Sequence, residues 1–120
     1  MQEVVEDIYM ILYNPPHAKV LLSLEEISLL KQSVQNLVGI KCAGGDEQWY
    51  TQRRELLDDF SVFVPGHTVV YGKPLGANGS YSNVACLSPN GAVKIWDLIE
   101  KDYEKAQELE AKVLNFMKQY

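Results

Sequence analysis

Four short, almost continuously apolar runs divide the first two-thirds of this chain: Ile8 to Tyr13, Leu37 to Cys42, Phe60 to Val64 and Gly79 to Val84. Each has the length of a strand. Strands that are apolar throughout, rather than alternating, suit a parallel sheet with both faces covered. The segments between them carry helical periodicity instead. Ser23-Leu24-Glu25-Glu26 has the form of a capping box, in which the hydroxyl accepts from the backbone N–H three residues on and Glu26 reaches back. Leu24, Ile27, Leu30 and Val34 then make one apolar stripe, predicting a helix to about Val34. Gly44-Gly45-Asp46 ends the second run and caps a helix through about Leu57, with Trp49, Arg53 and Leu56 or Leu57 on shared faces.

A weaker helix is expected from Thr68 to Leu75, where Gly72 and Pro74 oppose it. Ser88-Pro89 opens another, with Val93, Trp96 and Ile99 proposed as its apolar face. In the last helix, Tyr103 to Tyr120, the stripe is Ala106, Leu109, Val113, Phe116 and Met117, and Glu104, Glu108 and Lys112 set charges on the solvent side.

The order β-α-β-α-β-α-β-α-α is one of consecutive βα units, so the fold class is α/β. A closed eight-stranded β/α barrel takes ~250 residues, and four units make about half of one. The expected division is residues 1–102 as half of a TIM barrel and 103–120 as a separate C-terminal helix. An open, doubly wound four-stranded sheet fits the same periodicity and stays in competition.

Composition narrows the function. The net charge of −5 and the lack of a basic stripe argue against nucleic acid. No apolar run approaches the ~20 residues of a membrane span, and Met1 leads into acidic residues rather than a cationic signal region, so a cytoplasmic location is expected. Cys42 and Cys86 have no metal-ligand spacing, and both lie in segments expected to be buried; neither a disulfide nor a zinc site is expected, and no cofactor is called for.

In both architectures the functional end is the carboxyl end of the strands. The polar residues there are Tyr13 with Asn14, Lys41, Gly66 with His67, and Ser82 with Asn83. Alternation puts Gly39 and Lys41 on one side of the second strand, and an inward-facing Gly39 would leave room beside the lysine. A primary amine in an apolar surround is costly to charge, which frees its lone pair to attack a carbonyl. Taken alone, a lysine that ends a strand is usually reaching for water, and a tyrosine there is usually packing with a wet hydroxyl. Gly44-Gly45-Asp46 before a helix offers backbone N–H groups to an anion, but a single Gly pair is a thin signal. His67 could touch a ligand, although a solvated loop histidine is the equal alternative.

The combination of segments says more than any one residue. Tyr13-Asn14-Pro15-Pro16 followed by Val38-Gly39-Ile40-Lys41, with 41 − 13 = 28 between tyrosine and lysine, resembles the signature of the dihydrodipicolinate synthase and N-acetylneuraminate lyase family. Val62-Phe63-Val64-Pro65-Gly66 resembles that family's seventh barrel strand, and Gly76 to Val84 its eighth. The resemblance covers nearly the whole chain, from the end of the fourth helix to the first helix of the family's C-terminal extension. It implies strands five to eight of the barrel, Lys41 as the residue that forms an imine with pyruvate or another 2-keto acid, and Tyr13 as proton relay. It also implies that Gly66 and main-chain groups at Tyr81 shape the substrate pocket. An aldehyde is a possible second substrate.

The sequence departs from the family in three respects. The carboxylate-binding loop, which belongs to the barrel's first half, is not in this sequence; Pro15 stands where a small aliphatic or amide residue is common; and the span from Gly66 to Tyr81 is short. The expectation is therefore a lyase or aldolase whose 120-residue chain does not turn over alone, working as a homo-oligomer or with a missing barrel half. The alternative is a non-catalytic half barrel that associates through its open sheet edges.

Overall fold

The structure, a computed structural model, describes residues 8–119. Strands β1 (Met10–Tyr13), β2 (Leu37–Lys41), β3 (Ser61–Pro65) and β4 (Gly79–Tyr81) form one sheet in the order β1-β2-β3-β4, and every pair is parallel. Helices α1 (Leu24–Ser33), α2 (Glu47–Leu56) and α3 (Val69–Leu75) connect successive strands, and α4 (Pro89–Lys101) and α5 (Tyr103–Lys118) follow.

The helices begin where side chains satisfy their free N–H groups. The Ser23 hydroxyl accepts from Glu26 N at 3.1 Å while Glu26 Oε1 accepts from Ser23 N at 3.1 Å, so the capping box forms at both ends. Asp46 accepts from Trp49 N at 2.8 Å and Ser88 from Gly91 N at 3.0 Å. Helix α3 forms in spite of Pro74 and stops at Gly76, whose φ of +125° is open to glycine and strained for other residues.

One face of the sheet carries the core. Leu12, Ile40, Val62 and Val64 point toward the helices and pack with Leu24, Ile27, Tyr50, Leu57, Phe60 and Val70. Val62 and Val64 have no exposed surface, and each such side chain contributes roughly 1.5–3 kcal/mol of burial. Among the described residues no helix covers the opposite face, with Ile11, Tyr13, Lys41 and Phe63, and Ile11 and Tyr13 are 52% and 55% exposed. A parallel sheet with one bare face is unusual.

Several sequence expectations change. The first strand begins at Met10, with Ile8 and Tyr9 exposed before an irregularity in register. The fourth ends at Tyr81 because Ser82 bends the chain: its hydroxyl and its carbonyl both accept from Ala85 N, opening a short 3-10 turn, Val84–Cys86. That turn leaves Cys86 exposed, whereas Cys42 is buried as expected. Val93 is exposed, since it lies about 120° around α4 from Ile99 at the helical period. The buried row is Ile95 and Ile99, flanked by Ala92 and Trp96. In α5 burial fades along the stripe, from fully buried Ala106 to exposed Phe116 and Met117. In α2 Leu56 is exposed, and the buried residues are Tyr50 and Arg53, followed by Leu57.

Candidate functional site

Parallel pairing carries the two residues singled out in the sequence to the same place. Tyr13 and Lys41 are register partners at the carboxyl ends of β1 and β2, and in parallel strands partners point to one face. Lys41 Nζ stands 4.5 Å from the centroid of the Tyr13 ring. The chain is held in this position from both sides: Asn14 N donates to Lys41 O at 3.0 Å, and Cys42 N donates to Phe63 O at 3.1 Å. Asn14 also orders the loop that follows, since its side chain donates to Val20 O and accepts from Leu22 N, each at 3.0 Å. The Tyr-Asn pair thus combines an aromatic group at the site with a brace for the loop beside it.

A second ring reaches the same amine. Tyr81 lies two strands from Lys41, yet its ring centroid is 4.4 Å from Lys41 Nζ, and its hydroxyl donates to Cys42 O at 3.1 Å. Burial is the main cause that raises the Tyr81 phenol above its ordinary pKa, with the Cys42 thiol and the Tyr13 phenol adding to it. Burial likewise raises the Cys42 thiol, against a backbone hydrogen bond from Gly44 that lowers it. The family resemblance implies a role for main-chain groups at Tyr81, whereas the structure brings its side chain to the amine. The short span after Gly66 obscured which face the side chain would take.

Gly39 does not leave open space beside the lysine. A Cβ there would lie 2.8 Å from Ser61 O and 3.5 Å from Phe63 Cε2, so the glycine lets β3 come close. Gly66, just beyond β3, is buried, and the atoms nearest to a Cβ on it belong to Ser82 and Asn83. It joins the tips of β3 and β4, while Lys41, Tyr13 and Tyr81 form a separate group. His67 is engaged at the same rim, its Nδ1 3.0 Å from Asn83 Nδ2.

Glu110, from α5, accepts from Val70 N at 3.0 Å and so pins the start of α3. Burial raises its carboxyl pKa, and the Val70 hydrogen bond and His67 act in the other direction. At the start of α2 the Asp46 carboxylate accepts from Trp49 N, so this N–H is not open to an anion. A cavity of about 470 Å³ lies on the helix side of β4, lined by Val69, Val84, Ile95 and Trp96 among others, and none of Tyr13, Lys41 and Tyr81 borders it. Among the described residues no group of three or more His, Cys, Asp or Glu is placed to hold a metal ion, and no helix is long and apolar enough to cross a membrane.

An amine between two phenol rings at the carboxyl end of a parallel sheet is an arrangement suited to carbonyl chemistry. Known proteins share both the sequence and the fold. A 4-hydroxy-tetrahydrodipicolinate synthase from Teredinibacter turnerae is 33% identical over 102 residues, 82% of this chain and 35% of its own length. The synthase of the same name from Methylacidiphilum fumariolicum superposes with a TM-score of 0.74 at 26% identity, over 88% of this chain and 36% of that one. The N-acetylneuraminate lyase of Fusobacterium nucleatum shares the fold, with a TM-score of 0.74 at 20% identity, over 92% of this chain and 38% of that one. The chain thus spans about a third of the length of the curated relative it matches. The profile of the Dihydrodipicolinate synthetase family matches residues 2–120, and the chain belongs to that family.

Proposed function

We propose that this chain carries the imine-forming part of a lyase or aldolase site, in which Lys41 is the nucleophile and Tyr13 the proton relay for pyruvate or another 2-keto acid. The observation that carries the reading is the pairing of Lys41 with Tyr13, an amine 4.5 Å from a phenol ring on the neighbouring strand. In this reading β1 to β4 correspond to strands five to eight of a β/α barrel, and the bare face with Ile11 and Phe63 is the barrel interior. Gly66 and Tyr81 border the substrate. The other strands, and the group that anchors the keto acid's carboxylate, belong to the remaining length seen in the relatives. A reducing, cytoplasmic setting suits a buried Cys42 thiol and an exposed Cys86.

The chemistry follows from the groups present. The neutral Lys41 amine adds to the keto carbon, forming a C–N bond and moving the carbonyl electron pair to oxygen. That oxygen takes up protons and leaves as water, and the Tyr13 hydroxyl is the group assigned to shuttle them, since the Tyr81 hydroxyl is engaged with Cys42 O. The iminium that remains withdraws electrons from the adjacent carbon, which can lose a proton to give an enamine. The enamine adds to an aldehyde in the condensing direction; cleavage is the reverse.

Methyl-proton exchange reports on this enamine without needing a second substrate. Completed by its missing barrel half, the chain in D₂O is expected to accelerate deuterium incorporation into pyruvate, and Lys41→Ala in the same assembly to return the rate to that of free lysine. Equal rates for the wild type and Lys41→Ala would refute the proposal.

A second reading rests on the exposure of Ile11 and Tyr13 and on β1 and β4 both being edge strands. It is a half barrel without turnover that covers its bare face by association with a second copy or another barrel half. Light scattering separates the two situations: a concentration-independent monomer opposes association, and a dimer or larger assembly supports it.

A further inference from the structure

The chemical role proposed for Tyr13 leaves the second ring at the amine without a function. Tyr81 comes from β4, across β3, and approaches Lys41 from the other direction along the sheet. The two centroid distances, 4.5 and 4.4 Å, are nearly equal, so Nζ is shared between two ring faces. Each face carries negative charge density that attracts an ammonium within about 6 Å. The Tyr81 ring is also fixed at its far end, because its hydroxyl donates to Cys42 O at 3.1 Å. This bond ties the tip of β4 to the residue that follows Lys41.

Among the described residues the charge of Lys41 has no carboxylate partner. Among the described residues the ion pairs made by lysine are Lys73 with Glu100 and Lys105 with Glu108. The titratable groups shown against the amine are Tyr13 from β1 and Tyr81 from β4, and the Cys42 thiol just beyond β2 belongs to the buried core. Burial holds the Tyr81 phenol and the Cys42 thiol toward their neutral forms, so neither supplies a counter-charge near neutrality. What balances the ammonium is the pair of rings.

We infer that Tyr81 is a positioning residue for Lys41: its ring, anchored on the Cys42 carbonyl, closes the second side of an aromatic clamp that fixes Nζ opposite Tyr13. The clamp therefore aims the nucleophile. Its bearing on catalysis rests on the lysine-imine reading, whereas the clamp itself does not.

The test uses the isotope-labelled full chain and the lysine ε-methylene resonances, which ring currents displace. In the wild type the Lys41 ε-protons should be upfield of those of the lysines without a ring beside them, as should those of Lys73, whose Nζ is 4.0 Å from the Trp96 ring centroid. In Tyr81→Leu roughly half of that displacement should disappear, since two rings at similar distances share it. A native amide spectrum combined with an unchanged ε-proton position in Tyr81→Leu would overturn the inference. If that variant does not fold, Tyr81→Phe decides: it keeps the ring and loses the anchor, so the displacement should shrink, and an identical spectrum would overturn the anchoring role. Borohydride trapping with pyruvate on the same samples reports separately on the chemistry. Ring-current displacement without trapping leaves the clamp in place and removes the imine reading.

Discussion

Lys41 Nζ lies 4.5 Å from the centre of the Tyr13 ring, and the two residues are partners in the register of β1 and β2. The relationship is produced by backbone geometry: parallel partners share a face, and both residues end their strands. Most of the account follows from that pairing.

The first consequence concerns Tyr13. Replacing it with Phe keeps the ring beside the amine and removes only the hydroxyl. Imine formation with pyruvate should slow by roughly 10²-fold or more if the phenol relays protons. Stopped-flow measurement of the imine chromophore, or the rate of reductive trapping, reads the change; a rate within experimental error of the wild type would show the phenol to be packing only.

The second concerns the close approach of β3 to β2. A Cβ at Gly39 would meet Ser61 O at 2.8 Å, and a backbone oxygen has little freedom to retreat within a hydrogen-bonded ladder. Gly39→Ala is expected to destabilise the chain by about 1–3 kcal/mol through overpacking. Urea unfolding measures this directly, and an unchanged midpoint would mean that the sheet accommodates the methyl group without strain.

The third concerns pH. Burial raises the folded-state pKa of Glu110 above its ordinary value of 4.5, so in the window above 4.5 the folded state binds more protons than the unfolded state. Stability from this group therefore grows as pH falls through the folded pKa toward 4.5 and declines as pH rises through the same window. Glu110→Gln keeps an oxygen for Val70 N and cannot titrate. The difference in stability between wild type and variant should consequently shift in favour of the wild type on acidification. Thermal unfolding at a series of pH values tests it, and parallel pH profiles would contradict the assignment.

Much of this organisation was legible in the sequence, because the devices that carry it are local. Ser23 and Glu26 announce their helix through a reciprocal cap, and the apolar runs announce a sheet whose core face is fully buried at Val62 and Val64. Tyr13 and Lys41 were named together through the family resemblance, whereas their register as partners on one face is set by the pairing of β1 with β2. What was not legible depends on contacts between distant segments. The Tyr81 side chain reaches the Cys42 carbonyl across β3, and Glu110 caps α3 from α5, 40 residues away. Arg53 belongs with these: it is 5% exposed and donates to Phe60 O at 3.2 Å and to Gly76 O, tying α2 to the end of α3. On a helical wheel it reads as a charged residue at the edge of an apolar stripe. The misplacement of Val93 has a simpler origin, since steps of three residues drift around a helix with 3.6 residues per turn.

The central claim is that one lysine among those of the chain has been placed for imine chemistry. Borohydride reduction in the presence of pyruvate, with the missing barrel half supplied, followed by peptide mapping, tests it most directly. The account predicts a covalent adduct on Lys41 in preference to every other lysine, lost in Lys41→Arg. Adducts spread evenly over the surface lysines, or none at Lys41 with any of a panel of 2-keto acids, would contradict it.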